Sequence, residues 1–283
     1  MPRLAQANRK QGHNQPFSHG IDRQDQLRQQ KPPNANTRYE WISTESGVPR
    51  NKPQLFCFPH AGWGGSGYRP WQVGLAEVAI VLPVYFPGHE HRIREPLFDQ
   101  LCPLAKAAAE AIAPHIVGEF ALFGHSMGAF VAFEVARSLR RIGLLACGLW
   151  AAAAPAPHLP LRLPPLHHLP EVEMIERLEA RYGELPAEVK ASREMMSAIT
   201  PVIRADLRAV ETYRYEPEIP LDCPIHVLGG AEDTTVSMAE LAAWRAQTRG
   251  AFSCRILPGG HFFIENARRE VLSLVARQLR SVS

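Results

Sequence analysis

The 283-residue sequence predicts an α/β fold in which a mostly parallel sheet is wrapped by helices and interrupted by one helical insertion. Three observations predict it. Short apolar runs alternate with longer segments of helical spacing, as in α/β proteins. The runs are apolar throughout, as strands buried on both faces require. One stretch, 155–215, holds helix-like segments and no convincing strand.

The expected strands, in order, are "QLFCF" (54–58), "VAIVLPVYF" (78–86), "FALFG" (120–124), "ACGLWAA" (146–152), "IHVLGG" (225–230) and "FSCRIL" (252–257). Several end at Gly or Pro, residues that punctuate chain direction. The expected helices of the main body are 104–116, 127–143, 238–248 and 267–280, each rich in good helix formers. Within 155–215, the proline-rich "PAPHLPLRLPPLHHLP" precedes three helical segments, "EVEMIERLEARYG", "AEVKASREMMSAIT" and "VIRADLRAVETYRY". An insertion at the carboxyl edge of a sheet is placed to act as a lid. A plain packing subdomain is the competing reading.

Domain organisation follows from composition. Residues 1–37 are rich in Gln, Asn and Arg and nearly free of large aliphatics. Such a segment buries too little to offset its ordering entropy, so it is read as a disordered, basic and polar extension. It carries six Lys or Arg against two Asp, so the basic tilt of the +3 chain lies there. Residues 38–283 form one domain. Mixed charge argues against nucleic-acid binding. No apolar run is long enough for a membrane span, and the start lacks a signal-peptide h-region. Five cysteines, with no C-x-x-C pair, read as free thiols of a reducing cytoplasm. No metal site is expected.

The chemistry concentrates at Gly124-His125-Ser126-Met127-Gly128, a G-x-S-x-G pattern between a strand and a helix. There it is a nucleophile elbow: a tight turn demands small flanking residues and projects the serine from the sheet edge. The helix that follows aims its amides at the same spot. A serine needs a base. Of 12 histidines, His261 in "LPGGHFFIEN" follows a strand and two glycines. The base needs an orienting carboxylate. Asp233 in "GGAEDTTV" supplies it, with Glu232 and Asp206 as rivals, and the order Ser126, Asp233, His261 is that of α/β-hydrolases. His125 is expected to pack behind the turn. The oxyanion hole is expected from the Met127 amide and from Ala61 or Gly62 in the glycine-rich "FPHAGWGGSGY" (58–68), with Ala61 preferred. That loop is read as holding neither G-x-x-x-x-G-K-[ST] nor G-x-G-x-x-G, and so as binding no phosphate.

Five blocks together, "FCFPHAGWGGSGYRPW", "VYFPGHEHRIREP", "LFGHSMGAFVAFEVA", "PVIRADLRAVETYRY" and "LPGGHFFIE", resemble the type II thioesterases of nonribosomal peptide and polyketide synthesis. The resemblance runs from about residue 38 to the C-terminus. It implies an α/β-hydrolase fold and a stand-alone, monomeric, cytoplasmic hydrolase. Such an enzyme strips acyl or aminoacyl groups from the phosphopantetheine arm of carrier-protein domains, clearing misprimed or stalled chains. The triad implied is Ser126, Asp233 and His261. No cofactor is implied, because the substrate brings the phosphopantetheine. One departure stands out. The family usually places an arginine after the "PG" of the second block, where this chain has His89, followed by Glu90, His91 and Arg92. If that arginine is structural, His89 and Arg92 share its work. If it selects substrates, preference differs.

Trp63, in the glycine-rich loop after the first strand, is expected to narrow the approach to Ser126. Met195 and Met196, with Leu159, Leu161, Leu163, Leu166 and Met174, are candidates for an acyl channel. Ordinary helix packing is the alternative. Arg204 and Asp206 of "IRAD" are two residues apart on a helix, so each should pair elsewhere. Three other functions stay open on the sequence: a general esterase for small oxoesters, an acyltransferase, and a non-catalytic carrier-protein binder.

Overall fold

Backbone pairing joins the six apolar runs into one parallel sheet. The structure, a computed structural model, describes residues 41–42, 52–183 and 185–280. The 1–37 extension lies outside the described residues. The strands are β1 (Gln54–Phe58), β2 (Ile80–Pro83), β3 (Phe120–His125), β4 (Gly148–Ala152), β5 (Ile225–Gly230) and β6 (Phe252–Leu257). Their spatial order is β2-β1-β3-β4-β5-β6, and every neighbouring pair is parallel. β1, β3 and β4 are buried along their whole length, which accounts for their unbroken apolar runs. β6, at the edge, is half-exposed.

Helices cover both faces. α1 (Trp71–Leu75) and the C-terminal α9 (Arg268–Arg280) pack on one face through Trp71, Leu75, Val271 and Val275. α2 (Leu101–Ile112) and α3 (Met127–Arg141) pack on the other through Leu104, Ala108, Val131 and Val135. α2 begins three residues before the expected start, because Pro103 falls in its first turn, where a missing N–H costs nothing. Among the described residues no helix is long and apolar enough to cross a membrane.

The insertion between β4 and β5 is helical: α4 (Glu171–Tyr182), α5 (Ala187–Ala191) and α6 (Arg193–Glu211). The expected break near Pro201 is absent. α6 runs through Pro201, and the chain breaks instead at Ser192, whose hydroxyl caps the amide of Met195. The reason is tertiary. Thr200, Val202, Ile203, Asp206 and Leu207 bury one continuous face across the proline, and that burial outweighs the lost hydrogen bond. The short helices α7 (Met238–Ala242) and α8 (Phe263–Asn266), with 3-10 turns at Gly65–Tyr68, Glu90–Arg92, Ala113–His115 and Ala243–Gln247, complete the frame.

Strand order places the site. From β1 the chain steps to β2 on one side and later to β3 on the other. The loops after β1 and β3 therefore diverge and leave a crevice at the carboxyl ends of the strands, where α/β sheets bind ligands.

Candidate active site

Ser126 occupies the turn between β3 and α3 with φ 54° and ψ −117°. A positive φ is costly for a non-glycine residue, so the turn is strained. Its glycines are steric necessities. A Cβ on Gly124 would lie 2.0 Å from the carbonyl oxygen of Gly128, and one on Gly128 would lie 2.1 Å from that of Phe58. The serine amide donates to Ala152 at 2.8 Å, tying the turn to β4.

The hydroxyl lies 3.0 Å from Nε2 of His261, whose Nδ1 lies 2.9 Å from Oδ2 of Asp233. The base and the acid are almost completely buried. Asp233 sits in the turn after β5 and His261 in the loop after β6. Burial pushes the Asp233 carboxyl up, but the hydrogen bond and charge of His261, with the hydroxyl and amide of Thr235, outweigh it and hold the group below its ordinary value. It is a carboxylate throughout the neutral range. The rivals fall away: Glu232 is exposed, and Asp206 is buried against a different loop.

Two contacts escaped the sequence reading. Thr235 donates its amide to Asp233 Oδ1 at 2.8 Å, and its hydroxyl lies 2.6 Å from the same oxygen and 3.0 Å from His261 Nδ1. The signal was a threonine two residues after the acid, the spacing of a side chain–backbone turn. His125 does more than pack: its Nε2–H donates to the backbone carbonyl of His261 at 2.8 Å, joining the elbow to the base loop. Burial holds His125 neutral by pushing its pKa well down.

The amides of Met127 and Ala61 have no protein acceptor among the described residues, and both residues line the crevice beside Ser126. Gly62, the alternative to Ala61, is committed elsewhere: its N–H donates to Oδ2 of Asp206 at 2.7 Å. The loop does contain a G-x-G-x-x-G spacing, Gly62, Gly64 and Gly67, which corrects the reading of it as motif-free. Its amides are not an open phosphate cradle. A Cβ on Gly64 would lie 1.9 Å from the Glu90 carboxyl carbon, and that carboxylate accepts from the amide and hydroxyl of Ser66.

Ser126 opens into a cavity of about 260 Å³ roofed by the insertion. Leu161, Leu163, Leu185, Val189, Ile199 and Ile203 make its apolar wall. Trp63 also lines it, stacked on His60 with ring centroids 5.5 Å apart. Met195 and Met196 do not. They stand in the first turn of α6, ahead of the buried stretch that begins at Thr200; Met195 is exposed and Met196 half-buried. Leu166 and Met174 pack in a small cluster inside the insertion, with Ile203 and Leu207. Tyr182, at the end of α4, brings its ring 4.7 Å from that of His261. Arg204 and Asp206 pair apart, as their spacing requires: Arg204 donates to the carbonyls of His167 and Leu169 at 2.6 and 2.7 Å.

This geometry has close counterparts among known proteins. The family model for the thioesterase domain matches residues 53–279. The chain belongs to the thioesterase family. It is 35% identical over 245 residues to the linear gramicidin dehydrogenase LgrE of Brevibacillus parabrevis, covering 85% of this chain and 93% of that protein. Among solved structures, the thioesterase RedJ from the prodiginine pathway of Streptomyces coelicolor superposes with a TM-score of 0.76 at 37% identity, over 84% of this chain and 90% of RedJ. The type II thioesterase BorB from the borrelidin cluster superposes with a TM-score of 0.75 at 35% identity, over 85% of this chain and 96% of BorB. The α/β-hydrolase fold and a hydrolase acting on thioesters follow from membership of this family.

Proposed function

We propose that this thioesterase is a stand-alone cytoplasmic serine hydrolase that removes acyl or aminoacyl groups from the phosphopantetheine arm of carrier-protein domains, clearing stalled chains from a peptide or polyketide synthase. The observation that carries the reading is the linked Ser126–His261–Asp233 chain, at 3.0 and 2.9 Å, opening into an apolar cavity. Similarity to the type II thioesterase BorB and the thioesterase RedJ supports a thioesterase rather than a general esterase.

The cycle follows from the parts. The Ser126 hydroxyl passes its proton to Nε2 of His261 as its oxygen attacks the thioester carbonyl. The amides of Met127 and Ala61 hold the developing oxyanion. The tetrahedral adduct collapses, the C–S bond breaks, and the imidazolium returns the proton to the departing thiolate. A water then gives its proton to His261 and attacks the acyl-serine, releasing a free acid and restoring the hydroxyl. Asp233 keeps the Nδ1 proton in place throughout. The cycle calls on no metal or diffusible cofactor.

Holo carrier protein loaded with acetyl, octanoyl or aminoacyl groups tests this by intact-protein mass spectrometry. Wild type is expected to leave the free thiol and release a free acid, and Ser126→Ala to be slower by roughly 10³-fold or more. Oxoester cleavage with no deacylation of the carrier would replace this reading with the general esterase. Acyl transfer to an amine or alcohol would replace it with the transferase.

A further inference from the structure

We propose that the buried His89–Asp206 pair is a positioning unit for the oxyanion hole, fixing the Ala61 amide by holding the next residue of its loop against the lid helix. The inference rests on the thioesterase reading above. Three chain segments meet at one atom. Oδ2 of Asp206, on α6, accepts the Gly62 amide at 2.7 Å and lies 2.9 Å from Nε2 of His89, in the turn after β2. Asp206 is 1% exposed and His89 4%. Gly62 has φ +74°, and a Cβ there would lie 2.7 Å from Cγ1 of Ile203 on the same helix, so the loop has no slack against the lid. The planar Ala61–Gly62 peptide fixes the Ala61 Cα, one bond from the Ala61 amide nitrogen, and the Trp63 amide donates at 3.2 Å to the His60 carbonyl, which shares a peptide plane with that amide.

Hydrogen-bond accounting fixes the charge of the pair. His89 Nδ1 lies 3.0 Å from the Pro87 carbonyl, which can only accept, so Nδ1 carries a proton. Nε2 faces a carboxylate oxygen, so with Asp206 ionised it carries one too. His89 is then an imidazolium, and the carboxylate that binds Gly62 has its counter-charge in place. Removing either charge leaves the other buried and alone, an expensive state that the loop can relieve by moving.

Burial alone would lower the His89 pKa. The charge and hydrogen bond of Asp206, the Pro87 carbonyl and the charge of Glu90 outweigh it, and the net direction is upward. Phe86 offers only a ring, 5.8 Å between centroids, and Arg92 turns its guanidinium to Glu95 and the Tyr85 carbonyl. A raised value means the imidazolium is fully present below about 6.5 and is lost as pH rises through the folded value. The contribution of the pair to turnover fades on the alkaline side.

The test is steady-state hydrolysis of octanoyl-N-acetylcysteamine from pH 6 to 9 by wild type, Asp206→Asn, His89→Gln and His89→Arg, with folding checked by circular dichroism. Asp206→Asn and His89→Gln are expected to lower kcat roughly 10- to 100-fold at pH 7 with KM within about twofold. His89→Arg, a permanent cation, is expected to recover kcat relative to His89→Gln and to flatten the alkaline decline. Wild-type kcat in both neutral variants, a change in KM alone, or an alkaline limb unchanged in His89→Arg overturns the positioning role. An inactive wild type instead removes the thioesterase reading and this inference with it.

Discussion

The β3–α3 elbow and the lid helix α6 both face Ser126, yet different forces hold them. At the elbow, backbone meets backbone. The glycine positions touch the carbonyls of Gly128 and Phe58, and the serine amide binds β4. At the lid, side chains do the holding. Asp206 reaches Gly62 and His89, Arg204 reaches two carbonyls of the proline-rich segment, and Glu211 accepts the amides of Leu166 and His167 at 2.8 and 3.0 Å. α5 buries no residue at all. The nucleophile is thus fixed by contacts that admit no side-chain adjustment, while the wall opposite it is held by side chains: the buried face of α6 and a few polar ties that single substitutions can cut.

The sharpest way to break this comparison is Gly124→Ala. The added methyl meets a carbonyl oxygen at 2.0 Å, and only movement of the turn relieves it. Loss of soluble folded protein, or turnover reduced by roughly 10³-fold or more, is expected, since a serine displaced from its base and its oxyanion donors loses most of the catalytic advantage. A folded variant with near-normal turnover would show that the elbow is as forgiving as the lid.

The same contrast explains what could be read in the sequence. All six strands and the convergence of Ser126, Asp233 and His261 were legible because their causes are local: apolar runs, a turn that admits only glycine, and a histidine and an aspartate each just beyond a strand. The lid was legible as three helical patterns but not as a structure. Whether Pro201 ends a helix depends on what Ile203 and Leu207 bury against, and those partners, Leu166 and Met174, lie some thirty residues back. Met195 and Met196 share the helical face of the cavity-lining Ile199 and Ile203 but stand a turn ahead of them, and the sequence pattern does not say where along that face the cavity begins. Asp206 looked like a weak rival for the triad acid, and its role emerged only when a loop after β1 and a turn after β2 were seen to converge on it.

A smaller effect is expected inside the triad. Thr235→Val keeps the amide bond to Asp233 Oδ1 and removes the hydroxyl that lies near both that oxygen and His261 Nδ1. A hydrogen bond to a charged group contributes about 1.5 kcal/mol, so kcat should fall roughly tenfold. Thr235→Ser should recover most of it. Unchanged kcat in Thr235→Val would mean that the amide and His261 suffice to hold the carboxylate.

The mildest prediction separates two places in the insertion, one lining the cavity and one outside it. Val189 on α5 lines the cavity, whereas Met195, six residues on, is exposed and does not. α5 is short and buries nothing, so a larger side chain at Val189 has room to turn without disturbing a core. Tryptophan there would shorten the apolar space above Ser126 and penalise longer acyl groups while sparing acetyl. Val189→Trp should lower the octanoyl-to-acetyl ratio of kcat/KM by roughly threefold to tenfold, the scale on which an apolar pocket discriminates by size. Met195→Trp should leave that ratio within about twofold. If the two variants behave alike, the cavity is not where the acyl chain lies, and the lid roofs the serine without measuring its substrate.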